Sequence, residues 1–289
     1  MIVLADKWQD YQLIDAGNKD KLEKWKDVTL VRPDPQAIWQ KSDDRRWNNY
    51  DGIYYRSEKG GGHWDFKKDL PQYWTVNYKD LTFKVSPTNF KHTGLFPEQA
   101  ANWDWLEEII KKSPLEVKVL NLFAYTGGAT MACSKAGAKE VVHLDAAKGM
   151  VNWAKENMYL NHLEDHTIRF IVDDAIKFVK REIKRGNKYH IIIMDPPSYG
   201  RGPNNELWKI EDELEELICQ TTKLLADDCL AYLVNGYTTG FSPIALDNIM
   251  KKYLLKKFPD GKINTVELAI PIQDSNMLLP CGISGRFER

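Results

Sequence analysis

From about residue 115 onward the chain repeats one unit: a short run of Val, Ile and Leu, a turn, then a helical stretch with one apolar face. Residues 117–122, 141–144, 168–172, 189–194 and 229–234 read as strands. Residues 129–136, 148–161, 175–184, 206–225 and 244–258 read as helices, with late strands over 266–270 and about 283–287. The runs are apolar throughout rather than alternating, so both faces of each strand are buried. Strands separated by helices run parallel, because each crossover returns the chain to the same end of the sheet. The expectation is an α/β, Rossmann-like doubly wound sheet.

The first 80 residues differ. They hold Trp8, Trp25, Trp39, Trp47, Trp64 and Trp74, six of the ten tryptophans, together with Pro33, Pro35 and the run Gly60 to Gly62. Short strands are expected over 11–14, 28–31, 53–56, 74–78 and 81–85, with a short helix over 20–25 after a turn at Gly17 and Asn18. This describes a small aromatic-rich α+β domain over 1–85, suited to substrate binding, ahead of a larger domain over 86–289. Aromatics beside Arg45, Arg46 and Arg56 suit a stacking face for bases. The alternative is that Trp and Tyr form the core of a small domain.

In a doubly wound sheet, ligands bind beyond the carboxyl ends of the strands, where the strand order reverses. The first strand ends in Asn121-Leu122-Phe123-Ala124-Tyr125-Thr126-Gly127-Gly128. The glycine pair permits a tight turn and close approach to a helix start whose N–H groups are open. The turn lacks the third glycine of a pyrophosphate-binding loop, which favours a nucleoside without pyrophosphate. Asp145 ends the second strand and suits the two hydroxyls of a ribose. The third strand ends in Asp173 and Asp174; Asp174 suits an adenine amine, and a helix N-cap is the alternative. The fourth ends in Asp195-Pro196-Pro197-Ser198-Tyr199, a loop stiffened by two prolines. Asp195 suits a cationic methionine-like tail, Ser198 and Tyr199 suit an acceptor, and Gly200 and Gly202 suit a mobile lid.

Charge narrows the class. Forty basic and 41 acidic residues leave a formal net charge of −1, which argues against a nucleic-acid coating protein but not against an enzyme meeting RNA through a local patch. Cys133, Cys219, Cys229 and Cys281 match no zinc spacing or short-loop disulfide framework, so reduced thiols and no metal are expected. No apolar run has the length of a membrane span, and the first ten residues lack the regions of a secretory signal. A cytoplasmic protein with no membrane partner is expected; nothing bears on its oligomeric state.

The run VLNLFAYTGG, Asp145, the pair Asp173 and Asp174, and the DPPSY loop together resemble class I S-adenosylmethionine-dependent methyltransferases. More narrowly, they resemble the large-subunit ribosomal RNA cytosine-C5 and guanine-N7 methyltransferases. The stretch from Lys91 to Gln99 is similar to that family's cofactor-covering segment. The resemblance implies S-adenosyl-L-methionine as cofactor and RNA as partner. It implies that Asn121, Phe123, Tyr125, Thr126, Gly127 and Gly128 line the methionine and ribose. Asp145 would hold the ribose, Asp174 the adenine and Asp195 the sulfonium end, with Phe96 and Gln99 closing over the cofactor.

The cytosine enzymes add a thiolate to the base, but here residues 233–239 read Leu-Val-Asn-Gly-Tyr-Thr-Thr and Ser198 follows the prolines. Cys281, in Pro-Cys-Gly, is the thiol to weigh for that chemistry, and ordinary packing is the favoured reading of it. The expectation is direct in-line methyl transfer to an RNA base, with Asp195, Pro196, Pro197, Ser198 and Tyr199 at the acceptor. A small-molecule or protein methyltransferase, or a nucleoside-binding protein without catalysis, are the alternatives.

Overall fold

A computed structural model of the chain describes residues 1–42, 45–57, 61–201 and 207–289. Gly60 and Gly202 lie outside these residues. The chain divides into two compact units. One holds Met1–Val3, Asn102–Glu267 and Gly282–Arg289; the other holds Leu4–Ala101 and Leu268–Cys281. The sequence suggests a single boundary after residue 85; the smaller unit runs on to Ala101 and takes in a late segment.

After β1 (Ile2–Leu4), the smaller unit builds a five-stranded sheet in chain order. Its strands are β2 (Tyr11–Gly17), β3 (Asp20–Trp25), β4 (Val28–Pro33), β5 (Gly52–Arg56) and β6 (Gly62–Phe66). The pair β7 (Trp74–Tyr78) and β8 (Leu81–Val85) stands beside it as a separate antiparallel ribbon. The short helix expected over 20–25 is instead β3. Asn18 and Lys19 have φ of 49° and 65°, the paired left-handed residues that close a two-residue hairpin. Pairing then runs from Gly17↔Asp20 to Tyr11↔Trp25. Leu22 and Trp25 carry a helix-like spacing of three, but strand pairing on both sides overrides it.

Among the described residues this unit is thus made of strands and single 3-10 turns, not α+β. Its core is aromatic: Trp25, Tyr78 and Phe83 are fully buried with Leu13, Leu22 and Leu30. Within it the Arg32 guanidinium pairs with Glu23, which also accepts from Tyr11 Oη at 3.0 Å.

The larger unit contains the expected alternation. Helix α1 (Ala100–Lys112) leads into β9 (Lys118–Leu122), α2 (Gly128–Lys135), β10 (Glu140–Asp145), α3 (Lys148–Leu160), β11 (Ile168–Val172), α4 (Ala175–Arg185) and β12 (Ile191–Met194). A small ribbon of β13 (Tyr199–Arg201) and β14 (Leu207–Lys209) follows. Then come α5 (Ile210–Thr222), β15 (Ala231–Gly236), α6 (Pro243–Met250), β16 (Lys262–Pro271) and β17 (Leu278–Glu288), the end of β16 and the start of β17 being counted with the smaller unit. The helix expected from residue 206 begins at Ile210, because Leu207, Trp208 and Lys209 pair with Arg201, Gly200 and Tyr199. Helix α6 ends at Met250 and continues as a π-type turn over Lys251–Leu255. No helix among the described residues is long and apolar enough to cross a membrane.

The main sheet has the order β1-β16-β17-β15-β12-β9-β10-β11. Strands β15, β12, β9, β10 and β11 are parallel, and β17 runs antiparallel to β15. Alternate residues of each strand face opposite layers. Leu120, Leu122, Val142, Leu144, Ile192, Met194, Tyr232 and Val234 pack with residues of α4, α5 and α6. Val119, Val141, Ile191, Ile193, Ala231 and Leu233 pack with Leu106 and Ile110 of α1 and Cys133 of α2. This double burial is why the strands are apolar throughout. From β9 the chain steps outward through β10 to β11, then returns to β12 on the other side of β9. Such a reversal is where a doubly wound sheet binds its ligands, here beyond the carboxyl ends of β9 and β12.

Candidate functional site

The turn between β9 and α2 lies at that reversal. Phe123, Tyr125 and Gly127 have φ of 57°, 51° and 86°. Left-handed backbone is uncommon outside glycine and persists where its surroundings enforce it. Here the enforcing contacts are specific. Ala124 N donates to the Leu144 carbonyl at 3.0 Å and Gly127 N to the Ala124 carbonyl at 2.9 Å. The buried Asn157 of α3 donates through Nδ2 to the Thr126 carbonyl at 2.8 Å. Asn121 is buried and donates to Thr130 Oγ1 at 3.0 Å, and Thr130 Oγ1 lies 2.9 Å from Nδ1 of His143, its neighbour across the strands.

Helix α2 then starts at Gly128 with no side-chain cap, so its first N–H groups remain available to a ligand. Gly128 is required by packing as well: a Cβ there would sit 2.5 Å from Trp103 Cζ2. Gly128→Ala is expected to destabilise the larger unit by about 1–3 kcal/mol through overpacking. The check is a thermal melt, lowered by several degrees; an unshifted midpoint would mean that Trp103 yields without cost.

Asp145 ends β10 beside this turn. Its Oδ2 accepts from Tyr125 N at 2.9 Å and its Oδ1 from Ala147 N at 2.8 Å. Burial raises its carboxyl above the usual range, and the two N–H groups act in the opposite direction. Each oxygen keeps a lone pair for a further donor. Asp174 caps α4, its Oδ1 accepting from Lys177 N at 2.8 Å. Asp173 accepts from Asp174 N at 2.8 Å and pairs with Arg181.

The Asp195 loop leaves β12, the strand next to β9. Asp195 is half-buried, Pro196 buried, Ser198 half-buried and Tyr199 exposed. Asp195 N donates to the Leu122 carbonyl at 3.4 Å, joining the loop to the end of β9. Ser198 Oγ accepts from Thr238 Oγ1 at 2.7 Å, and its carbonyl accepts from Ile210 N at 3.1 Å. Gly200, expected in a mobile lid, is paired with Trp208 in the β13–β14 ribbon.

The structure therefore gathers Phe123 to Gly128, Asp145 and Asp195 to Tyr199 at the ends of adjoining strands. Phe96 and Gln99 belong to the smaller unit, where Phe96 opens the 3-10 turn Pro97–Gln99 and packs against His92 at 5.3 Å. Residues that sequence reading did not single out for the site are Trp103, Thr130, Asn157, Trp208 and Thr238. The spacing of Trp103, Leu106 and Ile110 signals the helix that carries Trp103; the other four act through partners far along the chain and leave no local pattern. At the end of β15, Asn235 is buried and accepts from Asn102 Nδ2 at 3.1 Å and Ser284 Oγ at 2.6 Å.

All four cysteines are free thiols. Burial pushes Cys133 up to about 12 and Cys229 up to about 11, and also raises Cys281, which lies in the smaller unit. A raised pKa disfavours the thiolate that attack on a base requires.

A family model described as S-adenosylmethionine-dependent methyltransferase matches residues 30–237. Among curated proteins, the chain is similar to the ribosomal RNA large subunit methyltransferase K/L of Colwellia psychrerythraea, 27% identical over 169 residues. It is also similar to the protein of that name from Shewanella frigidimarina, 32% identical over 145 residues. The matches cover 58% and 50% of this chain but 23% and 20% of those relatives, so the chain spans under a quarter of their length. Among solved structures it resembles the SAM-dependent methyltransferase from Agrobacterium tumefaciens, with a TM-score of 0.94 and 36% identity, covering 100% of this chain and 93% of that one.

Proposed function

Because this chain belongs to the S-adenosylmethionine-dependent methyltransferase family, we propose that it methylates a base of large-subunit ribosomal RNA, at a nitrogen, by direct in-line transfer. The enzyme class and the cofactor are those of the family. The observation that carries the reading is the juxtaposition, on adjoining parallel strands, of the Gly127–Asp145 turn and the Asp195–Tyr199 loop. The choice of ribosomal RNA is supported by the names of the curated relatives. It carries with it a cytoplasmic location.

The residues present fit the cofactor. The turn is stripped of Cβ atoms at Gly127 and Gly128, the start of α2 is uncapped, and Asp145 offers acceptor capacity to a ribose. Phe123, Tyr125 and Thr126 would hold the methionine and ribose portion, with Asn121 bracing the turn from below. Asp174 would reach the adenine with the oxygen not used in its cap. S-adenosylmethionine supplies an activated methyl group when bound. The protein's part is to exclude water and to hold the acceptor nitrogen in line. In this reading Pro196, Pro197, Ser198 and Tyr199 orient the base and Asp195 accepts the proton the nitrogen sheds. No thiol is required, in keeping with the raised Cys133, Cys229 and Cys281.

Incubation with tritiated-methyl cofactor and extracts of cells lacking the gene tests this, with RNA, protein and small molecules counted separately. Label is expected in large-subunit ribosomal RNA, and nucleoside mass spectrometry is expected to place it on a base nitrogen. Label confined to protein or small molecules replaces the acceptor; cofactor binding with no turnover on any fraction replaces catalysis.

A further inference from the structure

Trp208 joins the two segments at that reversal. Its Nε1 donates to the Pro197 carbonyl at 2.6 Å, and its ring lies 5.9 Å from that of Phe123, inclined by 44°. Phe123 is the first left-handed residue of the cofactor turn, and Pro197 is the second proline of the acceptor loop. Directly opposite Trp208 on the ribbon is Gly200. Next to Pro197, Ser198 is held at both Oγ and carbonyl, by Thr238 and by Ile210. The exit of the loop is thus fixed from three directions, and the bond from Trp208 is the one that also bears on the cofactor turn.

We propose that Trp208 is a positioning residue for methyl transfer. It sets the direction of the Asp195–Ser198 loop relative to the β9 turn, so that the acceptor nitrogen meets the methyl carbon in line. The inference rests on the reading of that loop as the acceptor site. It also assigns the Pro197 carbonyl to the protein's own framework, which shifts recognition of a substrate N–H to other atoms of the loop. In-line attack tolerates little error: a displacement of about 1 Å can lower the rate roughly 100-fold.

The test compares Trp208→Phe, which keeps a ring against Phe123 but loses the N–H donor, with Trp208→Ala, which loses both. The expected result for Trp208→Phe is a kcat lowered by about 10- to 100-fold. Cofactor Kd, acceptor KM and thermal midpoint should stay close to the wild type, the pattern of a group that acts only on the transition state. Trp208→Ala should lose more. Combined with Phe123→Leu, Trp208→Ala should lose less than the sum of the separate effects, since the two rings act together.

A wild-type kcat in Trp208→Phe overturns the proposal. So does a fall in kcat matched by weaker cofactor binding and a lower midpoint, which would mark a merely structural side chain. If the wild type methylates protein or a small molecule instead of RNA, the RNA reading fails, and the same kcat comparison on that acceptor decides Trp208.

Discussion

Asp145→Ala is expected to weaken S-adenosylmethionine binding by about 10- to 100-fold, the equivalent of one or two lost hydrogen bonds to a charged group. Two effects add. The ribose loses a carboxylate acceptor, and the turn loses the group that receives Tyr125 N and Ala147 N. Tyr125 stands at φ 51° and depends on such contacts to stay there. Titration calorimetry of the folded variant measures the loss. Asp145→Asn keeps the shape and one acceptor oxygen, so it should fall between wild type and alanine. Unchanged affinity in Asp145→Ala would remove this residue from the cofactor site.

Acidification should unfold the protein partly through His143. This ring is fully buried, and burial pushes its pKa from 6.5 down to about 3. The Tyr125 backbone opposes the shift without reversing it. In the unfolded chain the imidazole takes up a proton near pH 6.5; in the folded chain it resists until about pH 3. Its contribution is therefore complete above pH 6.5 and is lost progressively as the pH falls toward 3. At about 1.4 kcal/mol per pH unit the total reaches about 5 kcal/mol. A charge on this ring would also fall 2.9 Å from Thr130 Oγ1, inside the brace beneath the glycine turn. Urea unfolding between pH 7 and 4.5 checks this against His143→Gln. The variant should show a shallower loss of stability; equal slopes would place the responsible groups elsewhere. His92 acts in the same direction, lowered to about 4 by burial and by the nearby Arg32, Lys91 and Lys21.

Much of the architecture is legible in the sequence. Wholly apolar strands alternating with helices implied a parallel sheet buried on both faces, and two cores on opposite faces are what the chain forms. Because ligands gather at the carboxyl ends of such strands, the positions of Gly127, Gly128, Asp145 and Asp195 are enough to propose them for the site. The acidic residue after β11 was readable too, but whether Asp174 serves as helix cap or ligand group was not, and its bond to Lys177 N establishes the cap.

Burial periodicity and strand-end chemistry are local, which is why the sequence by itself determined the fold class and the candidates for the site. Pairing is not local. Residues 20–25 carry a spacing a helix would accept, and β2 and β4 on either side make them a strand. Trp208 sits in a stretch that reads as helix, and its pairing with Gly200 turns it toward Pro197 and Phe123. Phe96 and Gln99 lie close in sequence to α1 yet fold with the smaller unit. Only the tertiary structure decided these, because each depends on which distant segment supplies the missing hydrogen bond or covers the exposed ring, and that choice is made by the whole chain at once.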